Sequence, residues 1–205
     1  MTVEGHGEVH AAGNLLWRLT QDLELPLVWM PPRRGLNLHQ EQGIRKAAEY
    51  VRLDSTVEAW LVLRDEDDAC PREKGPQMAS WLREAGLPFP SAVVLLHPEY
   101  EVLFLPCLHL MAGQPLGDGV TSRPGIQPGV RWDGSSWEAR RDVKGWLSSH
   151  YAPNRSYKPT TDQLELTRRI DFAALRQDGP ASFGTLERAL RFLAANAGRQ
   201  GAVYP

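Results

Sequence analysis

The stretch that decides the fold is Val57–Asp68, whose sequence is VEAWLVLRDEDD. Apart from Glu58 it is apolar as far as Leu63, and a continuous apolar run of this length is typical of a strand buried on both faces of a parallel sheet. Such sheets place their ligand sites at the carboxyl ends of the strands. Asp65 and Asp67 follow at i and i+2, a spacing at which two carboxylates can hold one cation or bridge a pair about 4 Å apart.

A second acidic segment, Val3–Glu8, lies at the N-terminus and reads VEGHGE. Its acids, Glu4 and Glu8, lie four positions apart across a predicted strand-to-helix turn, and the helix is predicted over about residues 7–20. The glycines of the intervening loop allow a sharp turn and a close approach to a phosphate, and the helix N-terminus adds N–H donors. That loop consists of Gly5, His6 and Gly7. Because only three residues precede Glu4, either the first strand is a stub or the chain extends upstream.

Carboxylates gathered at one sheet edge repel one another unless a cation neutralises them, and their hard oxygen atoms suit Mg²⁺ or Mn²⁺. The sequence therefore predicts a metal-dependent phosphate site. Lys144, in a helix after a flexible loop, is the candidate for stabilising charge in a transition state. A solvated surface loop is the alternative interpretation of either acidic segment taken alone. The predicted metal ligands are Glu4, Glu8, Asp65, Asp67, Asp68 and Glu101.

Strand and helix patterns alternate through the first 110 or so residues, which predicts a parallel-rich, Rossmann-like α/β sheet flanked by helices. We expect three parts: an α/β core at 1–112, a Gly/Pro-rich loop or linker at 113–141, and a helical C-terminal subdomain at 142–205 packed on the core. Trp132 and Trp137 in the loop are candidates for stacking or for a partner surface. Strands are predicted at 25–30, 57–63 and 92–96, and helices at 39–51, 71–85, 142–149, 163–177 and 182–195.

Composition limits the classes of function. The chain has 205 residues, a net charge of −2 and 42% hydrophobic residues, which suits one α/β core with an appended subdomain. A protein that bound nucleic acid alone would be more basic, so a local basic surface or a partner is expected. Two cysteines without a CxxC argue against a disulfide framework and a structural zinc site. With no signal peptide and no run near 20 apolar residues, we expect a cytoplasmic protein without a membrane span.

The same residues resemble the Toprim motifs, and most closely those of a bacterial Toprim-like family of unknown function. The resemblance rests on Val3–Glu8, Leu63–Pro71, Pro98–Glu101, Lys144–Trp146 and Tyr157–Gln163, and it closes with Ile170–Asp171 and Ser182–Phe183. It implies a compact α/β fold whose acids bind Mg²⁺ for phosphodiester chemistry. Carried over from the overcoming-lysogenization-defect nucleases, the site residues are Glu4, Glu8, Asp65, Asp67, Glu101 and Lys144. The chain departs from the family at Arg64, where an apolar residue is expected.

Relatives in this family are often encoded beside an SMC-like or AAA ATPase, which implies anti-phage defence and an ATPase partner. We expect a Mg²⁺-dependent nuclease acting on nucleic acid, most simply DNA. The alternative is a non-catalytic, metal-stabilised subunit that docks on the ATPase. Hydrolysis or transfer on a nucleotide is a third option, and homo-oligomerisation is left open.

Overall fold

The computed structural model describes residues 1–134 and 141–205. Within these ranges the strands are β1 (Thr2–Val3), β2 (Arg33–Arg34), β3 (Trp60–Asp65), β4 (Ser91–Leu96) and β5 (Val203–Tyr204). The helices are α1 (Glu8–Asp22), α2 (Glu41–Arg52), α3 (Pro71–Ala85), α4 (Leu108–Met111), α5 (Val143–Ser149), α6 (Pro159–Thr167), α7 (Phe172–Asp178) and α8 (Ala181–Ala195). Short 3-10 helices cover Tyr100–Cys107 and Gly119–Thr121.

The strands form one parallel sheet in the order β2-β1-β3-β4-β5. The chain moves from β1 outward to β2 and then crosses back to β3 on the other side of β1. The strand order therefore reverses between β1 and β3, as in doubly wound proteins with the order 2-1-3-4-5. Ligands of such proteins bind in the crevice outside the carboxyl ends of the strands at this reversal. The prediction of a parallel, Rossmann-like α/β sheet is confirmed.

Both faces of β3 are buried, which explains its unbroken apolar run. Leu61 and Leu63 face a core cluster shared with α1, α6 and α8, whereas Trp60 and Val62 face a second cluster shared with α2 and α3. The alternation of side chains along a strand sends successive residues to opposite faces. The C-terminal helices therefore form a layer directly on the sheet, and α8 packs against β4.

Two secondary-structure predictions are wrong. Residues 25–30 do not form a strand, and β2 lies instead at Arg33–Arg34, which the pattern assigned to a basic loop. Pro26, Pro31 and Pro32 lack the N–H groups that a strand ladder needs. The single helix predicted at 163–177 is two helices, because the chain turns after α6 and the Asp171 side chain caps α7 by accepting a hydrogen bond from the Ala173 N–H at 2.8 Å.

The described part of the long connection before α5, residues 112–134, has little regular structure, in agreement with its composition. Antiparallel bridges join Leu116 to Arg123 and Ile126 to Tyr151. Trp132 packs edge-on against Trp146 with ring centroids 5.3 Å apart, whereas Trp137 lies outside the described residues. Within the described ranges, no helix combines the length and apolar character needed to cross a membrane.

Candidate metal centre

Three carboxylates meet at the carboxyl end of the sheet, next to the reversal of strand order. Asp65 ends β3, and Glu99 and Glu101 follow β4 at the start of the first 3-10 helix. One oxygen from each lies within 4.8 Å of the other two, so the group could hold a metal ion. Parallel strands bring these residues together because their carboxyl ends share one edge of the sheet.

Asp65 and Glu99 are each fixed by backbone N–H groups. Asp65 Oδ1 accepts a hydrogen bond of 2.7 Å from the Tyr100 N–H. Glu99 Oε1 accepts bonds from the N–H groups of Val143 at 2.5 Å and Lys144 at 3.3 Å. Glu99 thus ties the first turn of α5 to the end of β4, and this contact brings Lys144 to the carboxylates.

Glu101 is fully buried at the base of the group. Its Oε1 accepts hydrogen bonds from the Tyr157 hydroxyl at 2.7 Å and from Gln163 Nε2 at 3.1 Å. Its Oε2 has no hydrogen-bond partner among the described residues. Burial raises the pKa of Glu101 to about 7, although the nearby ammonium of Lys144 acts in the opposite direction.

Lys144 places its ammonium group among the three acids. Its Nζ lies 2.7 Å from Glu99 Oε2, 3.2 Å from Asp65 Oδ2 and 3.4 Å from Glu101 Oε2. Partial burial of the ammonium disfavours its charge, but the carboxylates of Glu101, Asp65 and Glu99 outweigh this and raise the pKa of Lys144. Among the residues that the structure describes, one ammonium group therefore faces three carboxyl groups, which could also hold a metal ion.

Glu8 borders this centre from the first turn of α1. Its Oε2 accepts bonds from the N–H groups of Glu4 at 3.3 Å and Gly5 at 3.2 Å, so it fixes the loop that precedes its own helix. Burial raises the pKa of Glu8. Burial also raises the pKa of Asp65 well above its usual value, and the charges of Glu8 and Glu101 add to that rise.

Glu4 is held on the other side of β3 from the three acids by a cation of its own. Glu4 Oε2 lies 3.1 Å from Arg64 Nε, and Oε1 accepts a 3.2 Å bond from the Leu38 N–H and lies 3.5 Å from His39 Nδ1. Arg64 also pairs with Glu66 at 2.5 Å. The side chain of Arg64 is 9% exposed and that of Glu4 is 31% exposed, so the Glu4–Arg64 pair is only partly sheltered from water. The structure therefore places Glu4 in an ion-pair network separate from the three-acid group.

Asp67 and Asp68 lie beyond the end of β3, so the alternation rule for strands no longer places Asp67 beside Asp65. Asp67 lies at the surface, where the loss of part of its hydration, together with the charge of Glu99, raises its pKa. The Asp68 side chain is fully exposed and lies 3.8 Å from Arg141 Nη1. Neither joins the three-acid group.

The glycines of the N-terminal loop make room for protein atoms. A Cβ at Gly5 would lie 2.5 Å from Glu8 Oε1, and a Cβ at Gly7 would collide with Gln163 and with the Pro159 carbonyl. Gly7 therefore allows α1 to pack against the start of α6. His6 and His10 are exposed, and neither belongs to a group that could hold a metal within the described residues.

Sequence reasoning missed Glu99, Tyr157 and Gln163 as members of the site. Glu99 lies within the Pro98–Glu101 stretch that carries the family resemblance, but only Glu101 was predicted as a ligand, although the spacing Glu99-x-Glu101 shortly after a buried strand repeats the signal seen at Asp65. Tyr157 and Gln163 appear in the motif that carries the family resemblance, but nothing in their spacing indicates that both contact Glu101.

Comparison of the chain with protein-family models, curated proteins and solved structures gives no match. The fold and the site therefore define the class of protein. It is a doubly wound α/β protein with a buried group of carboxylates that could hold a metal ion at the switch point, where the strand order reverses. The function therefore has to be argued from this geometry.

Proposed function

We propose that the chain is a Mg²⁺-dependent, Toprim-like nuclease that hydrolyses phosphodiesters. The observation that carries the proposal is the convergence of Asp65, Glu99, Glu101 and Lys144 at the switch point of the sheet. Carboxylates that bind a divalent cation, with a lysine beside them, are the groups that phosphoryl transfer requires for neutralising negative charge. An anti-phage or DNA-processing role with an ATPase partner is the setting that the family resemblance suggests.

The donor set suits a hard divalent cation. All three groups offer carboxylate oxygens, which Mg²⁺ and Mn²⁺ prefer, and none offers sulfur or imidazole. Glu101 Oε2 is buried and makes no hydrogen bond among the described residues, and the Lys144 ammonium lies 3.4 Å from it, so this oxygen is available to a cation that binds more closely. When bound, the metal would polarise the phosphate and lower the pKa of an attacking water.

The chain's own residues would then divide the remaining work. A cation that binds among the three acids competes with Lys144 for the same oxygens. Because the Lys144 side chain is 38% exposed, the displaced ammonium has room to turn toward a bound phosphate. Glu8 is better placed than Glu4 to exchange a proton, because Glu8 lies beside Asp65 with a raised pKa while Glu4 is engaged by Arg64.

A non-catalytic binding subunit is the second candidate, and one observation favours it. Lys144 already supplies a cation to all three acids, and Arg64 supplies one to Glu4. Acids neutralised in this way can serve stability alone. In that case the ATPase partner, rather than this chain, would carry the chemistry.

The test compares two acids of the same segment. Asp65→Asn removes a charge from the centre, whereas Asp68→Asn removes one from a side chain that is fully exposed. With Mg²⁺ and labelled DNA, we expect Asp65→Asn to lower cleavage at least about 100-fold, because a ligand matters more than the outer partners of ligands, and Asp68→Asn to cleave like wild type. Wild-type cleavage by Asp65→Asn would refute the proposal. Mn²⁺ binding without cleavage by the wild-type chain would favour the binding subunit.

A further inference from the structure

A second charged cluster surrounds Asp162 in the first turn of α6. Asp162 is fully buried, and its Oδ1 lies 3.1 Å from Arg123 Nη2 and 3.5 Å from Arg155 Nη2. Its Oδ2 accepts a 3.1 Å bond from the backbone N–H of Lys158, whose side chain is exposed. The Asp162 carboxylate thus faces two guanidinium groups, and Lys158 lines the same cleft, which we call the basic pocket. The pocket is lined by Arg123, Asn154, Arg155, Ser156, Lys158 and Thr161.

The two arginines of the basic pocket are held in place while remaining accessible. Besides their contacts with Asp162, Arg123 donates to the Thr161 carbonyl, and Arg155 donates to the Pro124 carbonyl at 2.6 Å. Their side chains are 29% and 25% exposed. Guanidinium groups fixed in this way lose little side-chain entropy on binding a phosphate. Nearby, the buried Tyr151 side chain interacts with the Asp162 carboxylate, and Arg155 lies over its ring at 5.9 Å.

One short segment joins the basic pocket to the metal centre. Tyr157 and Gln163 both donate to Glu101, whereas Lys158 and Asp162, their immediate neighbours in sequence, belong to the basic pocket. Residues 157–163 therefore form the wall between a group of carboxylates and a group of cations. A ligand that uses both sides needs more than one phosphate.

We propose that the basic pocket binds backbone phosphates of a nucleic-acid strand, another phosphate of which lies at the metal centre. The inference rests on the proposed function and names its substrate class as a polynucleotide rather than a free phosphate. It also accounts for binding by a chain with a net charge of −2, because the positive charge is concentrated where the strand would lie. Phosphate contacts of this kind dominate affinity and make it salt-dependent.

The test uses two exposed lysines. Lys158→Gln removes a charge from the pocket, and Lys46→Gln removes the same charge from α2, which packs on the opposite face of the sheet. Binding of a fluorescein-labelled single-stranded 20-nucleotide DNA is followed by anisotropy in EDTA between 50 and 300 mM salt. We expect Lys158→Gln to weaken binding about fivefold to tenfold at 50 mM salt and to reduce the log–log salt slope by about 0.7, the value for one lost contact. Lys46→Gln should leave both quantities unchanged.

Equal effects of the two variants would show that only net charge matters and would overturn the proposal. The charge reversals Lys158→Glu and Lys46→Glu should differ in DNA affinity by more than the two glutamine variants do. Equal DNA affinities of the two charge reversals would also overturn the proposal. Displacement of the DNA by inorganic phosphate at constant ionic strength would show a free-phosphate site and overturn the strand assignment. If DNA binding depends on Lys158 but the chain cleaves no DNA, the basic pocket is supported and the nuclease proposal is refuted. If cleavage depends on Asp65 but Lys158→Gln changes neither binding nor cleavage, the nuclease proposal is supported and the basic pocket is refuted.

Discussion

Removal of the Lys144 ammonium should destabilise the protein in the absence of metal and make it respond to metal more strongly. Lys144→Gln keeps most of the side-chain volume and removes a cation that lies within 3.4 Å of three carboxylates. Two of these acids are nearly inaccessible, with the side chains of Glu99 and Glu101 6% and 0% exposed. The variant therefore leaves negative charge in a place where water cannot solvate it.

The magnitude follows from the burial of the partners. Breaking a buried ion pair by removing one partner costs about 3–5 kcal/mol, because an uncompensated charge remains. The Lys144 side chain is 38% exposed and that of Asp65 is 19% exposed, and Glu101 can take up a proton. We therefore expect a loss near the lower limit, about 3 kcal/mol at pH 8. Saturation with Mn²⁺ at 100 times its dissociation constant should return about 2.7 kcal/mol.

The measurement is the free energy of unfolding in urea, followed by circular dichroism in EDTA and in Mn²⁺. Lys46→Gln is the matched control, since Lys46 is exposed on α2, and it should unfold like wild type. At one fixed Mn²⁺ concentration the variant should gain more stability than the wild-type chain, in which Lys144 competes for the same oxygens and weakens Mn²⁺ binding. If Lys144→Gln is as stable as Lys46→Gln in EDTA, the ion-pair reasoning fails. If Mn²⁺ stabilises neither Lys144→Gln nor wild type, the proposal that the three acids bind a metal ion is refuted.

Two further predictions test the surroundings of the centre. The pKa of Glu101 is about 7 in the folded chain against 4.5 for an ordinary glutamate, so the folded state binds its proton more tightly and Glu101 lowers stability as pH rises from about 4.5 to about 7. Urea unfolding across that range should show wild type losing stability relative to Glu101→Gln, and parallel profiles would contradict this. Gly7→Ala should cost about 1–3 kcal/mol by overpacking, because the new Cβ meets Gln163 and the Pro159 carbonyl; an unchanged melting temperature would show that α6 can move aside.

The parts of the fold that could be predicted are those whose pattern is local. The apolar run through Leu63 identified β3 because both faces of that strand are buried, and Pro71 and Gly86 marked the start of α3 and the residue after its end. Strands β1, β2 and β5 have two residues each, and no periodicity exists in two residues. Their pairing is decided by distant partners, so the sequence misplaced β2 and missed β5.

The site could be predicted only in part for the same reason. Asp65, Glu101 and Lys144 meet because strand ends and the start of α5 converge, which the α/β pattern anticipates. Glu4 lies outside the three-acid group because it pairs with Arg64, which is sixty positions away in sequence and also pairs with Glu66. Arg64 stood out in sequence only as a charged residue in an apolar run, and its partners become visible only in three dimensions.

The shared wall formed by residues 157–163 has a thermodynamic consequence. Tyr157 and Gln163 fix Glu101, and the adjoining Lys158 and Asp162 organise the arginines. If a cation bound among the carboxylates orders residues 157–163, the arginines of the basic pocket are ordered by the same event. DNA that binds afterwards then loses less conformational entropy. Linkage then requires symmetry: whatever factor a divalent ion contributes to the affinity for DNA, DNA must return to the affinity for the ion.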